Sequence, residues 1–176
     1  MKTTKLKKMK KGGADRFGNF ISTDPCSCNS PTTFTNVVAY YARHVEVPMC
    51  DEKTTKLYEN CFREPTYPVS HAIGQFTGKG DLVKMSHDAV EFECYCKKCG
   101  MEVKVVIELS SSEGPIKRYG YYEKKLETHR SSTLSHQPSI DELFESHANA
   151  EYNLIEQNCK HYAIYIFKEA TKTIGQ

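Results

Sequence analysis

The residue of this chain best suited to act as a nucleophile is a cysteine at the predicted start of a helix. Apolar residues recur from there with the three- and four-residue spacing of an amphipathic helix, at Cys159, Tyr162, Ala163, Ile166, Phe167 and Ala170. Asn158 precedes them at the N-cap position. A thiol in the first turn lies beside unpaired backbone N–H groups and the positive end of the helix dipole, which favour a thiolate. The alternative is a small apolar core residue, because free cysteines are often buried.

The sequence around Cys159 resembles a known family of thiol enzymes. Asn158-Cys159-Lys160-His161-Tyr162 is similar to the Asn-Cys-Glu-His-Phe motif of lecithin–retinol acyltransferase-like proteins, which are circularly permuted relatives of NlpC-type, papain-like thiol hydrolases. His87-Asp88-Ala89-Val90 resembles the strand that carries the catalytic histidine of that family. The resemblance covers residues 86–170. It implies an α+β fold of the permuted papain-like type, in which a small antiparallel sheet packs against the C-terminal helix.

Residues 87–109 are predicted to form a β-hairpin, because apolar and polar residues alternate on both sides of a Lys97-Lys98 turn. The expected register pairs Val90 with Val105, Phe92 with Val103 and Cys94 with Met101. A slip by one residue would mix the two faces of the hairpin, so it is rejected. The expected register also places Glu108 directly opposite His87.

Acyl transfer by a cysteine requires a base within hydrogen-bonding reach of the thiol and a third group that orients the base. The resemblance implies that Cys159 is the nucleophile and His87 the base. Glu108 is predicted to orient His87, since it occupies the cross-strand place where the family commonly has a histidine. An acidic residue there departs from the family pattern and leaves open whether the catalytic set is intact.

Two other histidines are candidates for a role at this site. His71 also precedes an Ala-Ile pair and is an alternative base. His161 follows Cys159 by two residues, an offset that turns it away from the thiol, so a structural role is expected. His87 shares its predicted face with Ala89 rather than with the more apolar residues, and the pattern leaves open which face receives the helix.

A second group of residues could bind a metal. Cys96-Lys97-Lys98-Cys99-Gly100 has the Cys-x-x-Cys-Gly pattern of a zinc knuckle between two strands, which makes Cys96 and Cys99 candidate ligands. Zinc requires two further ligands, and the candidates are Cys26 with Cys28 or Cys50 with Cys61. The alternative is a tight turn flanked by reduced cysteines.

The composition indicates one domain in a reducing compartment. The chain has 176 residues, a net charge of +2 and eight cysteines, without a signal-peptide pattern or an apolar run long enough to span a membrane. An intracellular, cytoplasmic location is therefore expected. Residues 1–32 are predicted to be a basic, disordered tail that could contact anionic lipid or an acidic partner, and residues 33–172 a single α+β domain. No specific nucleic-acid motif is present.

The remaining elements follow from local patterns. Residues 35–44 fit either a short helix or a strand. Ser139 and Glu142 form a potential capping box for a helix that runs to about His147. Further predictions are a helix at 51–62, strands at 71–76 and 119–123, and a polar loop at 128–137.

The sequence supports two competing functions. The first is a cysteine-dependent hydrolase or acyltransferase that forms a thioester at Cys159 and passes the acyl group to water or another acceptor. This chemistry requires no cofactor. The second is a non-catalytic interaction module, either stabilised by zinc at the hairpin or derived from an enzyme that has lost its catalytic set.

Overall fold

The computed structural model describes residues 20–48, 86–110, 113–151 and 158–172. Within them the chain forms one antiparallel sheet and two helices, whose bounds are β1 (Phe20–Ser22), β2 (Val37–Pro48), β3 (Ser86–Cys96), β4 (Glu102–Ser110), β5 (Gly114–Tyr122), β6 (Glu127–Thr133), α1 (Ile140–Glu145) and α2 (Cys159–Thr171). The strand order is β1-β5-β4-β3-β2-β6. This arrangement confirms the predicted α+β class.

Helix α2 packs on one face of the sheet and completes the larger core. Its apolar stripe is buried as the spacing predicts, at Tyr162, Ala163, Ile166, Phe167 and Ala170. The same cluster contains the residues of β3 and β4 that alternate toward the helix, among them Val90, Phe92, Ile107 and Leu109. Residues two apart on a strand share one face of the sheet, and residues three or four apart on a helix share one face of the helix. The core forms where these two apolar faces pack together.

The other face of the sheet buries a smaller cluster that includes Val45, Ala89, Val106 and Tyr122. His87 is expected on this face, since it lies two residues before Ala89 on the same strand. The question that the sequence pattern leaves open is thereby answered: the helix packs on the more apolar face.

The predicted hairpin register is wrong by two residues. Val90 pairs with Ile107, Phe92 with Val105 and Ala89 with Glu108, so Glu108 does not lie directly opposite His87. The turn is longer than expected, because Gly100 N–H donates to Cys96 O and Gly100 adopts a φ of +72°. A shift of two residues keeps every side chain on its face, which is why the predicted faces survive the error.

The N-terminal boundary of the domain is also earlier than expected. Phe20–Ser22 pairs with β5, and Phe34 is buried against Tyr119, so residues 20–32 belong to the folded domain rather than to a tail. Residues 1–19, with the lysine-rich run, lie outside the described residues.

Three other local predictions need correction and one alternative is decided. The polar loop expected at 128–137 is largely strand β6, which pairs with β2, and β5 begins at Gly114 instead of residue 119. Ser139 is the N-cap of α1, but its side chain makes no capping hydrogen bond and the helix ends at Glu145. The segment at 35–44 is strand from Val37 onward, in β2. The predicted helix at 51–62 and strand at 71–76 lie outside the described residues.

Candidate functional site

Cys159 is the first residue of α2, as the spacing predicts. Asn158 is the N-cap, and its Oδ1 accepts a hydrogen bond from the backbone N–H of His161 at 3.2 Å. The thiol is half-buried. The helix therefore presents Cys159 at its positive end, with one of the unpaired N–H groups of the first turn already satisfied.

His87 links the thiol to a buried carboxylate. Its Nε2 lies 2.8 Å from Glu108 Oε2, and its side chain also hydrogen-bonds with that of Cys159. Only 3 % of its surface is exposed. Burial by itself would lower the pKa of His87, but the hydrogen bonds to Cys159 and Glu108 and their charges raise it to about 9. An imidazolium is therefore the main form of His87 at neutral pH.

Glu108 is fully buried and is held by three neighbours. Oε2 accepts hydrogen bonds from His87 and from the Tyr122 hydroxyl, while Arg118 Nη2 lies 2.7 Å from Oε1. Burial would raise the pKa of Glu108, but the His87 hydrogen bond and the Arg118 charge outweigh it and lower the pKa. The carboxylate thus stays ionised while it fixes the orientation of His87.

The structure brings together Cys159, His87 and Glu108 despite the register error. Glu108 stands opposite Ala89, one pleat away from His87 on the same face, and a glutamate is long enough to reach the ring diagonally. His87 is the second residue of β3 and Cys159 the first of α2, so their contact forms at the ends of two elements. His71 lies outside the described residues. His161 is partly buried and contributes its backbone N–H to the cap.

Sequence reasoning misses Arg118 and Tyr122, which hold Glu108. From the sequence alone, Arg118 is expected to be a solvated residue at a strand end. The available signal is the alternation of Arg118, Gly120 and Tyr122, which places them on one face of a strand. That signal becomes informative only when the pairing of β4 with β5 is known, because pairing selects the neighbours of each side chain.

Four cysteines form a second group, in which two from the segment between β1 and β2 meet two at the turn between β3 and β4. The sulfur atoms of Cys26, Cys28, Cys96 and Cys99 all lie within 4.8 Å of one another, and all four thiols are free. The predicted ligands Cys96 and Cys99 are thus joined by the first of the two candidate pairs, while Cys50 and Cys61 lie outside the described residues. This cluster could hold a metal ion.

The turn stabilises a negative charge on one of these sulfurs. Burial would raise the pKa of Cys96, but backbone N–H groups of Cys99 and Lys98 donate to its sulfur and lower the pKa to about 7. Burial and the neighbouring thiols raise the pKa of Cys28 to about 11. Asn29 Nδ2 donates to Cys26 Sγ at 3.3 Å. Metal ligands are commonly oriented by such outer hydrogen bonds.

A third group lies on β2, β3 and β6. His44 Nε2 is 2.7 Å from Asp88 Oδ1, and His129 Nε2 is 3.5 Å from the same oxygen. Glu46 Oε2 lies 3.4 Å from His129 Nε2. Imidazole and carboxylate groups at these separations can hold each other by hydrogen bonds or hold a divalent cation.

Comparisons with protein-family models, with curated proteins and with solved structures found no significant match to this chain. Functional conclusions therefore rest on the geometry described above. Among the described residues, no helix combines the length and the apolar character needed to cross a membrane.

Proposed function

We propose that this protein is a cysteine-dependent hydrolase or acyltransferase that works through a thioester at Cys159. The observation that carries the proposal is the hydrogen-bonded series Cys159–His87–Glu108, with the cysteine at a helix N-terminus. It supplies a nucleophile, a proton carrier and a buried group that orients the carrier. The permuted papain-like fold and its kinship with lecithin–retinol acyltransferase-like proteins form part of the same proposal.

In the proposed reaction the Cys159 thiolate attacks the carbonyl carbon of an ester, thioester or amide and forms a C–S bond. The His87 imidazolium gives its proton to the leaving group as the bond between that group and the acyl carbon breaks. Neutral His87 then takes a proton from water or another acceptor, which attacks the thioester and releases the thiolate. Throughout the cycle Glu108 keeps the imidazole oriented and stabilises its charged form. The step requires no metal and no organic cofactor.

The electrostatics of the site suit this role. A His87 pKa of about 9 provides a proton for the leaving group at neutral pH and a charge beside the thiol. The Arg118 ion pair keeps Glu108 ionised, so the proton stays on His87 rather than moving to the carboxylate.

The test is reaction of the full chain with p-nitrophenyl acetate, followed by peptide mass spectrometry. We expect an acetyl thioester at Cys159 that is lost in Cys159→Ala and is formed far more slowly in His87→Ala. His136→Ala is the matched control, because His136 is a partly exposed histidine in the loop after β6. Acetylation of Cys159 at the same rate in His87→Ala and wild type would overturn the proposal.

A second candidate is supported by the four-cysteine cluster: a binding module whose hairpin is stabilised by zinc. Zinc is the ion we propose for this cluster, because four thiolates at about 2.3 Å from zinc place their sulfur atoms about 3.8 Å apart. The four sulfur atoms all lie within 4.8 Å of one another, which is compatible with that spacing. Four cysteine ligands also leave no open position, which is typical of a structural site.

Zinc content tests this assignment. We expect one zinc ion per chain to survive desalting and to be lost in the double variant Cys96→Ser with Cys99→Ser. Cys94→Ala is the matched control, since Cys94 is a buried cysteine that lies on β3 with Cys96 but outside the four-cysteine cluster. Absence of zinc from the wild-type protein would refute the assignment. Bound zinc together with an inert Cys159 would favour the binding module over the enzyme.

A further inference from the structure

The N-terminal segment 20–35 connects the four-cysteine cluster to the residues that hold Glu108. It contributes two of the four sulfur atoms and also forms edge strand β1. Strand β1 is short: three residues pair with β5, from Phe20 opposite Tyr122 to Ser22 opposite Gly120. Such a short edge strand provides few hydrogen bonds of its own, so its position depends on what anchors the rest of the segment.

The cluster anchors the middle of this segment to the turn between β3 and β4. Cys26 and Cys28 meet Cys96 and Cys99 there. Asn29 joins the two parts of the segment, since its Nδ2 donates to Cys26 Sγ and also to Thr35 O. A metal ion bound by all four sulfurs would close this chain segment onto the hairpin, with the large stabilisation that structural zinc gives to small folds.

The N-terminal end of the segment covers the residues that bind Glu108. The Phe20 ring packs edge-on against Tyr122, with ring centroids 5.3 Å apart. The guanidinium carbon of Arg118 lies 3.6 Å from the centroid of the Phe20 ring. Both contacts fix side chains that donate to the Glu108 carboxylate. They also shield the ion pair between Arg118 and Glu108 from water, which strengthens that pair.

We infer that zinc at the four-cysteine cluster regulates the thiol chemistry of Cys159, an inference that rests on the proposed function. Bound zinc holds strand β1 on β5, and Phe20 then keeps Arg118 and Tyr122 in place on Glu108. Loss of zinc frees residues 20–29, admits water to the Arg118–Glu108 pair and loosens the orientation of His87. In this way strand β1 couples zinc binding at the four-cysteine cluster to the reactivity of the Cys159 thiol, although the two sites lie on different elements.

The experiment compares the zinc-loaded full chain with the same protein after chelation and with the double variant Cys26→Ser with Cys28→Ser. Three quantities are measured: bound zinc, amide hydrogen exchange by segment, and the rate of Cys159 alkylation by iodoacetamide at about pH 6.5, mapped by peptide mass spectrometry. Ser27→Ala is the matched control, because Ser27 is an exposed residue between the two cysteines.

Zinc loss is expected to raise exchange in residues 20–29 about tenfold or more and to slow Cys159 alkylation about three- to tenfold, with α2 unchanged. Phe20→Ala, which keeps the cysteines, should retain zinc and still slow the alkylation. Equal alkylation with and without zinc, or a loss of protection that spreads to α2, would overturn the inference and leave the proposed function standing. A Cys159 that is unreactive even in the zinc-loaded protein would instead overturn the proposed function.

Discussion

Replacement of His87 provides the most informative test of the site, because its charge can be followed in two independent ways. The pKa of His87 is raised from the ordinary 6.5 to about 9 by its hydrogen bonds to Cys159 and Glu108, against the opposing effect of burial. A pKa difference of one unit corresponds to about 1.4 kcal/mol. The folded protein therefore stabilises the protonated form of His87 by about 3 kcal/mol relative to the unfolded chain. The small exposure of His87, at 3 %, leaves little solvent screening of these interactions.

The sign of the pH dependence follows from proton binding. Between 6.5 and about 9 the folded protein retains a proton on His87 that the unfolded chain has released, so stability must fall as the pH rises through this range. The contribution is fully present below 6.5 and lost above 9. In His87→Gln it is absent at every pH. The difference in unfolding free energy between wild type and this variant should therefore shrink by about 3 kcal/mol from about pH 6 to pH 10.

Urea denaturation at a series of pH values measures that difference, and NMR titration of the imidazole measures the pKa directly. Glu108→Gln preserves the shape of the side chain but removes its charge, and should lower the pKa of His87 because burial is then less opposed. His136→Gln is the control and should leave the pH dependence unchanged. A wild-type His87 that titrates at or below its ordinary pKa of 6.5, or a stability difference that is constant with pH, would refute the reasoning.

Three further substitutions test the surroundings of the site. Arg118→Met leaves the buried Glu108 carboxylate without its guanidinium partner, and should cost about 3 kcal/mol of unfolding free energy in urea denaturation. An unchanged denaturation midpoint would contradict the ion pair. Gly120→Ala introduces a Cβ 2.2 Å from Ile21 O at a φ of +143°, so β1 should detach, and faster amide exchange confined to residues 20–22 would show it. Asn158→Ala removes the cap of α2 and should cost about 1 kcal/mol, measured by thermal unfolding; a null effect would mean that the cap hydrogen bond is unimportant.

Local patterns are reliable where a periodicity decides the outcome. The apolar spacing of α2, its N-cap and the two faces of the β3–β4 hairpin depend on residues close together in sequence, and the structure confirms them. The Cys96–Cys99 turn is identifiable for the same reason. Local patterns fail for β6, because a polar edge strand such as Glu127–Thr133 lacks the apolar alternation by which strands are recognised.

Contacts between distant segments require the fold itself. The alternation of β3 and β4 permits registers that differ by two residues, and only the length of the turn selects the one observed. The choice of Cys26 and Cys28 as partners of the knuckle depends on the path of the N-terminal segment. Arg118 and Tyr122 become partners of Glu108 only through the pairing of β4 with β5.

The sequence by itself determined that a cysteine would open a C-terminal helix, that a hairpin would carry His87 and Glu108, and that two cysteines would flank its turn. These features follow from spacing within single elements, which backbone geometry dictates. Tertiary structure decided that the thiol meets His87, that Glu108 is buried with Arg118, and that four cysteines converge. Contacts of this kind depend on strand order and burial. They are selected by the free energy of packing the whole sheet and not by any short stretch of sequence.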